Sequence, residues 1–159
     1  MIPAPFEYRR VDTVDEAIRA LSDGSDAKLL AGGHSLLPLM KLRLARPSLL
    51  VDISRLGDLK YVREDGDRVA IGALTRHHDV ANSEVLQELC PIVSYAAGEI
   101  GDPQVRHVGT IGGSAAHADP ASDMPTVLVA LGAEMEVRGP GGVRNVGAGD
   151  FFKGLFEPD

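Results

Sequence analysis

The sequence has a single cysteine, Cys90, and no tryptophan, and aromatic residues make up only 4% of its 159 positions. One thiol closes no disulfide within the chain and falls short of the several thiolates that hold an iron–sulfur cluster. A reducing compartment is therefore expected, the cytoplasm, with no cluster in this chain. With so few rings, the core has to be assembled from Leu, Val, Ile and Ala. Positive charge is short as well: 16 Lys and Arg against 23 Asp and Glu give a net charge of −7. A chain of that sign repels a phosphate backbone, which sets nucleic-acid binding aside and weakens any attraction to anionic membranes. No run approaches the roughly 18–20 apolar residues of a membrane span, and MIPAPFEYRR lacks the apolar stretch of a signal peptide, so no direct membrane insertion is expected. What remains is an ordinary globular composition, 44% hydrophobic and 25% charged, large enough to bury a core.

Patterning divides the chain in two. Residues 6–9 read as a short strand. Thr13 then opens a helix, with Glu16 at capping-box spacing and Val14, Ala17, Ile18 and Leu21 on one face. Gly24 stops it. Residues 28–31 form a brief apolar strand that runs into Gly32-Gly33, with Ser35 as N-cap of the next helix, and residues 49–53 form a further strand after the break at Arg46-Pro47. Beyond residue 55 come a hairpin of residues 60–63 and 68–71, helical pieces at 85–89 and 92–97 split by Pro91, and a glycine-punctuated stretch, 101–120, without clear periodicity. Asp123 caps a last long helix that Gly132 stops. A second hairpin, 133–138 and 143–146, follows, and Asp150 caps a final turn. The pattern predicts an α+β protein of two small subdomains, residues 1–55 and 56–159, with a cleft between them. Phe151, Phe152 and Phe156 crowd the end of the sequence around Leu155. An aromatic cluster of that kind needs a surface to pack on, so the chain is expected to be part of a longer protein or to complete itself on a partner.

Two glycine-rich segments carry the chemistry. One is Ala31-Gly32-Gly33-His34-Ser35-Leu36, between a strand and a helix; the other is Gly109-Thr110-Ile111-Gly112-Gly113-Ser114. Glycine admits positive φ and brings N–H groups close to a ligand with no Cβ in the way. Successive amides curled in this manner form a concavity for anions, and Ser35, Thr110 and Ser114 place hydroxyls at the rims. Two facing loops could hold a diphosphate without Lys or Arg, phosphate oxygens lying where Cβ atoms of Gly33 and Gly113 would otherwise intrude. Each Gly-Gly taken alone is more often a plain turn. Neither G-x-G-x-x-G after a strand nor G-x-x-x-x-G-K-[ST] occurs, so a Rossmann or P-loop fold is disfavoured.

Other residues point to structure rather than catalysis. His77, His78, His107 and His117 lack the i, i+4 spacing of a helical metal pair, and no metal site is expected. Cys90 reads as a buried small hydrophobe, and no nucleophile motif surrounds it. Arg106 is either a phosphate neutraliser or a solvated surface residue. Lys41, Arg43 and Arg46 form a basic strip, either a solvated face or a docking surface.

The stretches AKLLAGGHSLLPLMKLRLARPSLLVDIS, IGALTRHHDV, IGDPQVRHVGTIGGSAAHADPASDMPTVLVALGAEMEVRGPGG and GDFFKGLFEPD, which span nearly the whole chain, closely resemble the FAD-binding medium subunit of the aerobic carbon monoxide dehydrogenase and xanthine dehydrogenase family, the molybdenum hydroxylases. The resemblance implies the vanillyl-alcohol-oxidase (PCMH) type of FAD-binding fold, two α+β subdomains clasping an extended FAD. It implies that Ala31, Gly32, Gly33, His34, Ser35 and Leu36, led in by Leu29 and Leu30, form one pyrophosphate loop. It assigns the other to Thr110, Ile111, Gly112, Gly113 and Ser114, places Asp123 at the adenosine end, and sets Thr75 and Gly101 along the cleft. No residue of this chain would be catalytic in the substrate half-reaction. The partners implied are an iron–sulfur subunit and a molybdenum-cofactor subunit, whose electrons the flavin collects and passes to an external acceptor. Family members continue through further strands and a C-terminal domain. A stand-alone flavin-dependent oxidoreductase and a non-catalytic assembly fragment are the competing readings.

Overall fold

A computed structural model describes residues 1–23, 26–154 and 156–158 of the chain. Strands β1 (Glu7–Arg10), β2 (Ala27–Leu30) and β3 (Leu49–Asp52) form a parallel three-stranded sheet in the order β1-β3-β2. Leu49 is level with both Glu7 and Ala27. The central strand Leu49-Leu50-Val51-Asp52 is buried at every position, as a parallel strand flanked on both edges and covered on a face should be. Helix α1 (Val14–Ser22) crosses between β1 and β2, and α2 (Leu36–Lys41) follows β2. Thr13 caps α1, its hydroxyl accepting from Glu16 N at 3.2 Å, while the Glu16 carboxylate accepts from Asp12 N at 2.9 Å. The return half of the capping box has thus moved one residue upstream. The buried face of α1 is Ala17 and Ala20, and Leu21 is 39% exposed. Small residues let the helix lie close on Val11, Leu49 and Val51, which periodicity alone does not convey. The stop expected at Gly24 lies outside the described residues.

The rest of the chain builds a second, larger hydrophobic cluster. The hairpin β4 (Val62–Asp65) and β5 (Arg68–Ile71) turns at Gly66-Asp67, with Gly66 at φ +66°. Short helices α3 (His77–Ala81), α4 (Glu84–Leu89), α5 (Pro91–Glu99), α6 (Pro103–Arg106), α7 (Ile111–His117) and α8 (Asp123–Ala130) come next. A hairpin of β6 (Glu134–Gly139) and β7 (Gly142–Gly147), a single turn α9 (Ala148–Phe151), and the pair β8 (Phe152–Gly154) and β9 (Glu157–Pro158) complete the order. Val80, Leu86, Val93, Ala97, Ile111, Met124 and Leu128 form the centre of this cluster, apart from that on the parallel sheet. The core is aliphatic, as the shortage of rings requires.

Several expectations are corrected. Residues 101–120 contain two helices, α6 and α7, started by Asp102, which accepts from Val105 N at 2.9 Å, and by Thr110. At four and seven residues, and with two glycines in α7, neither leaves a periodic signature. The N-cap of α8 is Ser122, and Asp123 is its first helical residue. Asp150 lies within α9, whose N-cap is Gly147. Cys90 is only half-buried, against the larger cluster. Of the phenylalanines, Phe151 is buried and meets Phe152 edge-on at 5.1 Å, but Phe156 is 55% exposed, its ring 5.1 Å from that of His117. Leu155 of that segment lies outside the described residues.

Candidate functional site

The first glycine segment leaves the carboxyl end of β2, the edge of a parallel sheet where ligands characteristically bind. Gly33 has φ +75°, a conformation glycine alone adopts freely. A Cβ there would meet Leu37 Cδ1 at 2.9 Å and Leu30 Cδ1 at 3.1 Å. Backbone conformation therefore calls for glycine at 33 before any ligand is considered, whereas the leucine side chains could swing aside. The amides of residues 32–36 have no protein acceptor among the described residues. Ser35 stands at the N-cap of α2 with helical torsions and makes no cap bond, so its hydroxyl also stays open. His34 is exposed, its Nδ1 3.3 Å from the Gly32 carbonyl. Leu29 is 40% exposed, and Leu30 and Leu36 are half-buried.

Gly32 joins this segment to the second. A Cβ on it would stand 2.3 Å from Val108 O and 3.0 Å from Gly109 Cα. The two glycine segments are thus in backbone contact, and the parallel sheet is fastened there to the helical half.

The second segment is not a loop but the first turn of α7, with Thr110 as N-cap. Its amides are mostly engaged within the protein. Ile111 N donates to Thr75 O at 3.0 Å and Gly112 N to Ala73 O at 2.9 Å. Gly113 N donates to Thr110 Oγ1 at 3.2 Å. Gly112 N and Gly113 N are therefore engaged within the protein rather than open to an anion. Gly112 serves close packing instead: a Cβ would fall 2.6–2.8 Å from Ala73 atoms. Gly113 differs, since its Cβ would meet only Thr110 Oγ1, at 2.8 Å, and otherwise open space. Thr110 N has no protein acceptor among the described residues. Thr110 is extended (φ −120°, ψ 151°), and its neighbouring peptides bond towards residues 75–77. Alternation along an extended strand then sends its own N–H out of the other edge, where the Val108 carbonyl meets Gly32.

The remaining candidates surround this joint. Thr75 is buried, its Oγ1 accepting from Tyr61 N at 3.1 Å and donating to Tyr61 O at 2.9 Å. It positions Ile111 through its carbonyl, and its hydroxyl is already committed. Gly101, at φ +52°, turns the chain into α6, and Val105 O at the end of that turn accepts from Gly109 N at 2.7 Å. Ser114 Oγ lies 3.3 Å from Ser122 Oγ, tying the start of α8 to the second turn. Asp123, next along, is exposed and makes no hydrogen bond or ion pair among the described residues. Arg106 directs Nη1 to Ile100 O at 3.1 Å and to Gly101 O at 3.3 Å, which braces the turn at Gly101. His117-Ala118-Asp119 orders a loop, Asp119 accepting from Ala121 N at 2.9 Å. Ala73 and Val108 are the site residues that sequence reasoning missed, and no sequence signal marks them, because the helix around Gly112 is not legible and Gly32 reads as an ordinary turn glycine.

Two titratable groups are shifted nearby. His77 is 4% exposed, with Nδ1 buried and unpartnered, and burial drives its imidazole down to about 4. At the carboxyl end of β3, level with Leu30, burial pushes the Asp52 carboxyl up. The hydrogen bonds from Tyr8 and Ser54, together with Arg10, outweigh burial and hold it below its ordinary value. Two hollows of about 290 and 280 Å³ lie around Arg9 and Asp23, beside β1 and the end of α1, away from the glycines. Arg9, Arg19, Glu16 and Asp23 give them mixed charge, whereas the glycine joint offers unpaired donors. Among the described residues no three metal-ligating side chains gather, and no helix is long and apolar enough to cross a membrane.

An array of uncharged donors in an acidic chain fits a diphosphate, and comparison with known proteins identifies the family. Residues 4–159 match the family described as the FAD binding domain in molybdopterin dehydrogenase. The chain is 49% identical over 157 residues to the carbon monoxide dehydrogenase medium chain of Hydrogenophaga pseudoflava, covering 98% of this chain and 55% of that one. It is 45% identical over 159 residues to the glyceraldehyde dehydrogenase medium chain of Sulfolobus acidocaldarius, with 100% and 57% covered. Its fold matches the solved carbon monoxide dehydrogenase of Hydrogenophaga pseudoflava with a TM-score of 0.97 at 49% identity, over 99% of this chain and 55% of that one. The quinoline 2-oxidoreductase of Pseudomonas putida 86 also matches with a TM-score of 0.97, at 36% identity, over 100% and 56%. The chain spans about half the length of these relatives. It belongs to the family of FAD binding domains of the molybdopterin dehydrogenases, and its cofactor is FAD.

Proposed function

We propose that this chain is the FAD-holding part of the medium subunit of a molybdenum hydroxylase of the carbon monoxide dehydrogenase type. In this reading, electrons arrive from an iron–sulfur subunit, which receives them from a molybdenum-cofactor subunit, and leave to an external acceptor. The fold is of the vanillyl-alcohol-oxidase (PCMH) type, with residues 1–55 and 56–159 as its subdomains and the cofactor cleft between them. FAD, when bound, supplies reversible redox chemistry able to exchange electrons singly or in pairs.

The observation that carries the reading is the set of unpaired amides of residues 32–36, held against the Val108-Gly109 backbone by Gly32. Those amides, the Ser35 hydroxyl and Thr110 N would receive the diphosphate. Leu29, Leu30, Ala31 and Leu36 form the apolar approach. Ile111, Gly112 and Ser114 fix the second turn through their own bonds, Gly113 leaves room beside it, and Thr75 and Gly101 brace it from behind. Asp123, free and exposed, suits an adenosine hydroxyl. A lone cysteine accords with the cytoplasm.

Purification with the partner subunits and a visible spectrum test this. The expected result is one FAD per chain, reduced when the molybdenum subunit's substrate is added. A complex with full occupancy of the molybdenum and iron–sulfur centres that releases no FAD on denaturation would refute it.

A further inference from the structure

Arg76 and Thr110 form an isolated antiparallel bridge. The bonds that make it run from His77 N to Gly109 O and from Ile111 N to Thr75 O, each 3.0 Å, on either side of the pair. Arg76 and Thr110 are therefore the non-hydrogen-bonded partners, whose side chains leave the same face with Cα atoms roughly 4.5 Å apart. Thr110 directs its hydroxyl to Gly113 N, at the first turn of α7. The Arg76 side chain accordingly leaves the backbone beside that turn.

Arg76 is exposed and makes no hydrogen bond, ion pair or ring contact among the described residues. Arg9 and Arg19 are likewise exposed and unpaired there, so what sets Arg76 apart is its place opposite Thr110, beside the first turn of α7. A cation next to the amino end of a helix faces the positive end of its peptide dipoles and is disfavoured. Unpaired donors of residues 32–36 and Thr110 add to the positive potential of the same joint. An anion between them would reverse the sign of every one of these interactions.

We infer that Arg76 is a binding residue for the FAD diphosphate, supplying the one full positive charge to an anion otherwise held by neutral donors. The inference rests on the FAD reading above and adds a residue that no glycine motif contains. A guanidinium matches phosphate oxygens with two parallel N–H groups, which lysine does not.

The test measures FAD affinity of the full-length protein by flavin fluorescence, at low and high sodium chloride, for wild type, Arg76→Gln and Arg76→Lys. Riboflavin, which has no phosphate, is titrated alongside. Arg76→Gln is expected to weaken FAD by about tenfold or more at low salt, the loss of a charge-assisted bond, and to flatten the salt dependence. Arg76→Lys should recover part of the affinity, and riboflavin should bind all variants alike. Because Arg76 makes no hydrogen bond, ion pair or ring contact among the described residues, the flavin-free variants should melt with wild type. Unchanged FAD affinity in Arg76→Gln at every salt concentration would overturn the inference, as would an equal loss for FAD and riboflavin. Wild type that binds riboflavin as well as FAD would overturn the diphosphate reading beneath it too.

Discussion

Gly32 and Val108 meet backbone to backbone, at a point where a Cβ on Gly32 would stand 2.3 Å from the Val108 carbonyl oxygen. This contact joins the parallel sheet to the helical half. The glycine is thus required by the protein itself, and the ligand benefits because the joint keeps the neighbouring amides where they are.

Gly32→Ala is therefore expected to destabilise the protein even without flavin, by about 1–3 kcal/mol, the usual cost of overpacking against an atom that cannot swing aside. Urea denaturation of the flavin-free protein measures it. If flavin-free stability were unchanged and only FAD retention fell, the contact would not be the constraint it is described as.

Gly113→Ala should behave in the opposite manner. The added Cβ meets only the Thr110 hydroxyl, at 2.8 Å. Displacing that cap costs about 1 kcal/mol, and replacing glycine within a helix returns about 0.5–1 kcal/mol. Flavin-free stability should stay within about 0.5 kcal/mol of wild type on that balance, while FAD is lost more readily, since the methyl projects into the open space beside the turn. Equal FAD occupancy after gel filtration would show that this space is not used.

The comparison of these two glycines marks how far the sequence could be read. The strand before Gly32, the helix after Ser35 and both hairpins were legible, because apolar runs and glycine turns sit close together in sequence. The pairing of glycine segments was also expected. Hidden were the long-range facts: that Gly112 is needed by Ala73, that Gly32 is needed by Val108, and that Ile111 to Ser114 begin a helix. A Gly-Gly pair looks the same whether its missing Cβ atoms make room for a phosphate or for another backbone. Only the acceptors already facing Gly112 N and Gly113 N separate the two cases.

His77 makes the fold sensitive to acid. Its folded value of about 4 lies below the ordinary 6.5, because burial opposes the charged ring. Between those values the unfolded chain takes up a proton that the folded chain refuses. Its contribution is then complete above pH 6.5 and declines as the pH falls towards 4, the span corresponding to about 3 kcal/mol. His77→Gln cannot titrate, so its stability should vary less with pH across that window. Parallel slopes for the two proteins in urea denaturation would remove His77 from the account.

Ala118 closes α7 at φ 49° and ψ 40°, the left-handed conformation that glycine adopts at helix ends and that a Cβ opposes by about 1–2 kcal/mol. The strain is held in place from several sides: Ala118 N reaches Ser114 O at 3.2 Å and Ala115 O at 3.1 Å, while Ala118 O accepts from Phe156 N at 3.2 Å. Ala118→Gly removes the opposition but gives the unfolded chain more freedom, about 0.5–1 kcal/mol. Before packing is counted the net is a gain of about 0–1.5 kcal/mol, and Ala118 is 4% exposed, so loss of its buried methyl takes back part of it; a melting point raised by a degree or two is expected. The same residue fixes where the chain departs towards Ser122 and Asp123, so the gain should come with faster FAD release if the strained turn orients that arm. A variant that is less stable than wild type would mean that the Ala118 methyl makes contacts worth more than the strain, and the left-handed turn would then be a packing feature rather than a constraint held for the site.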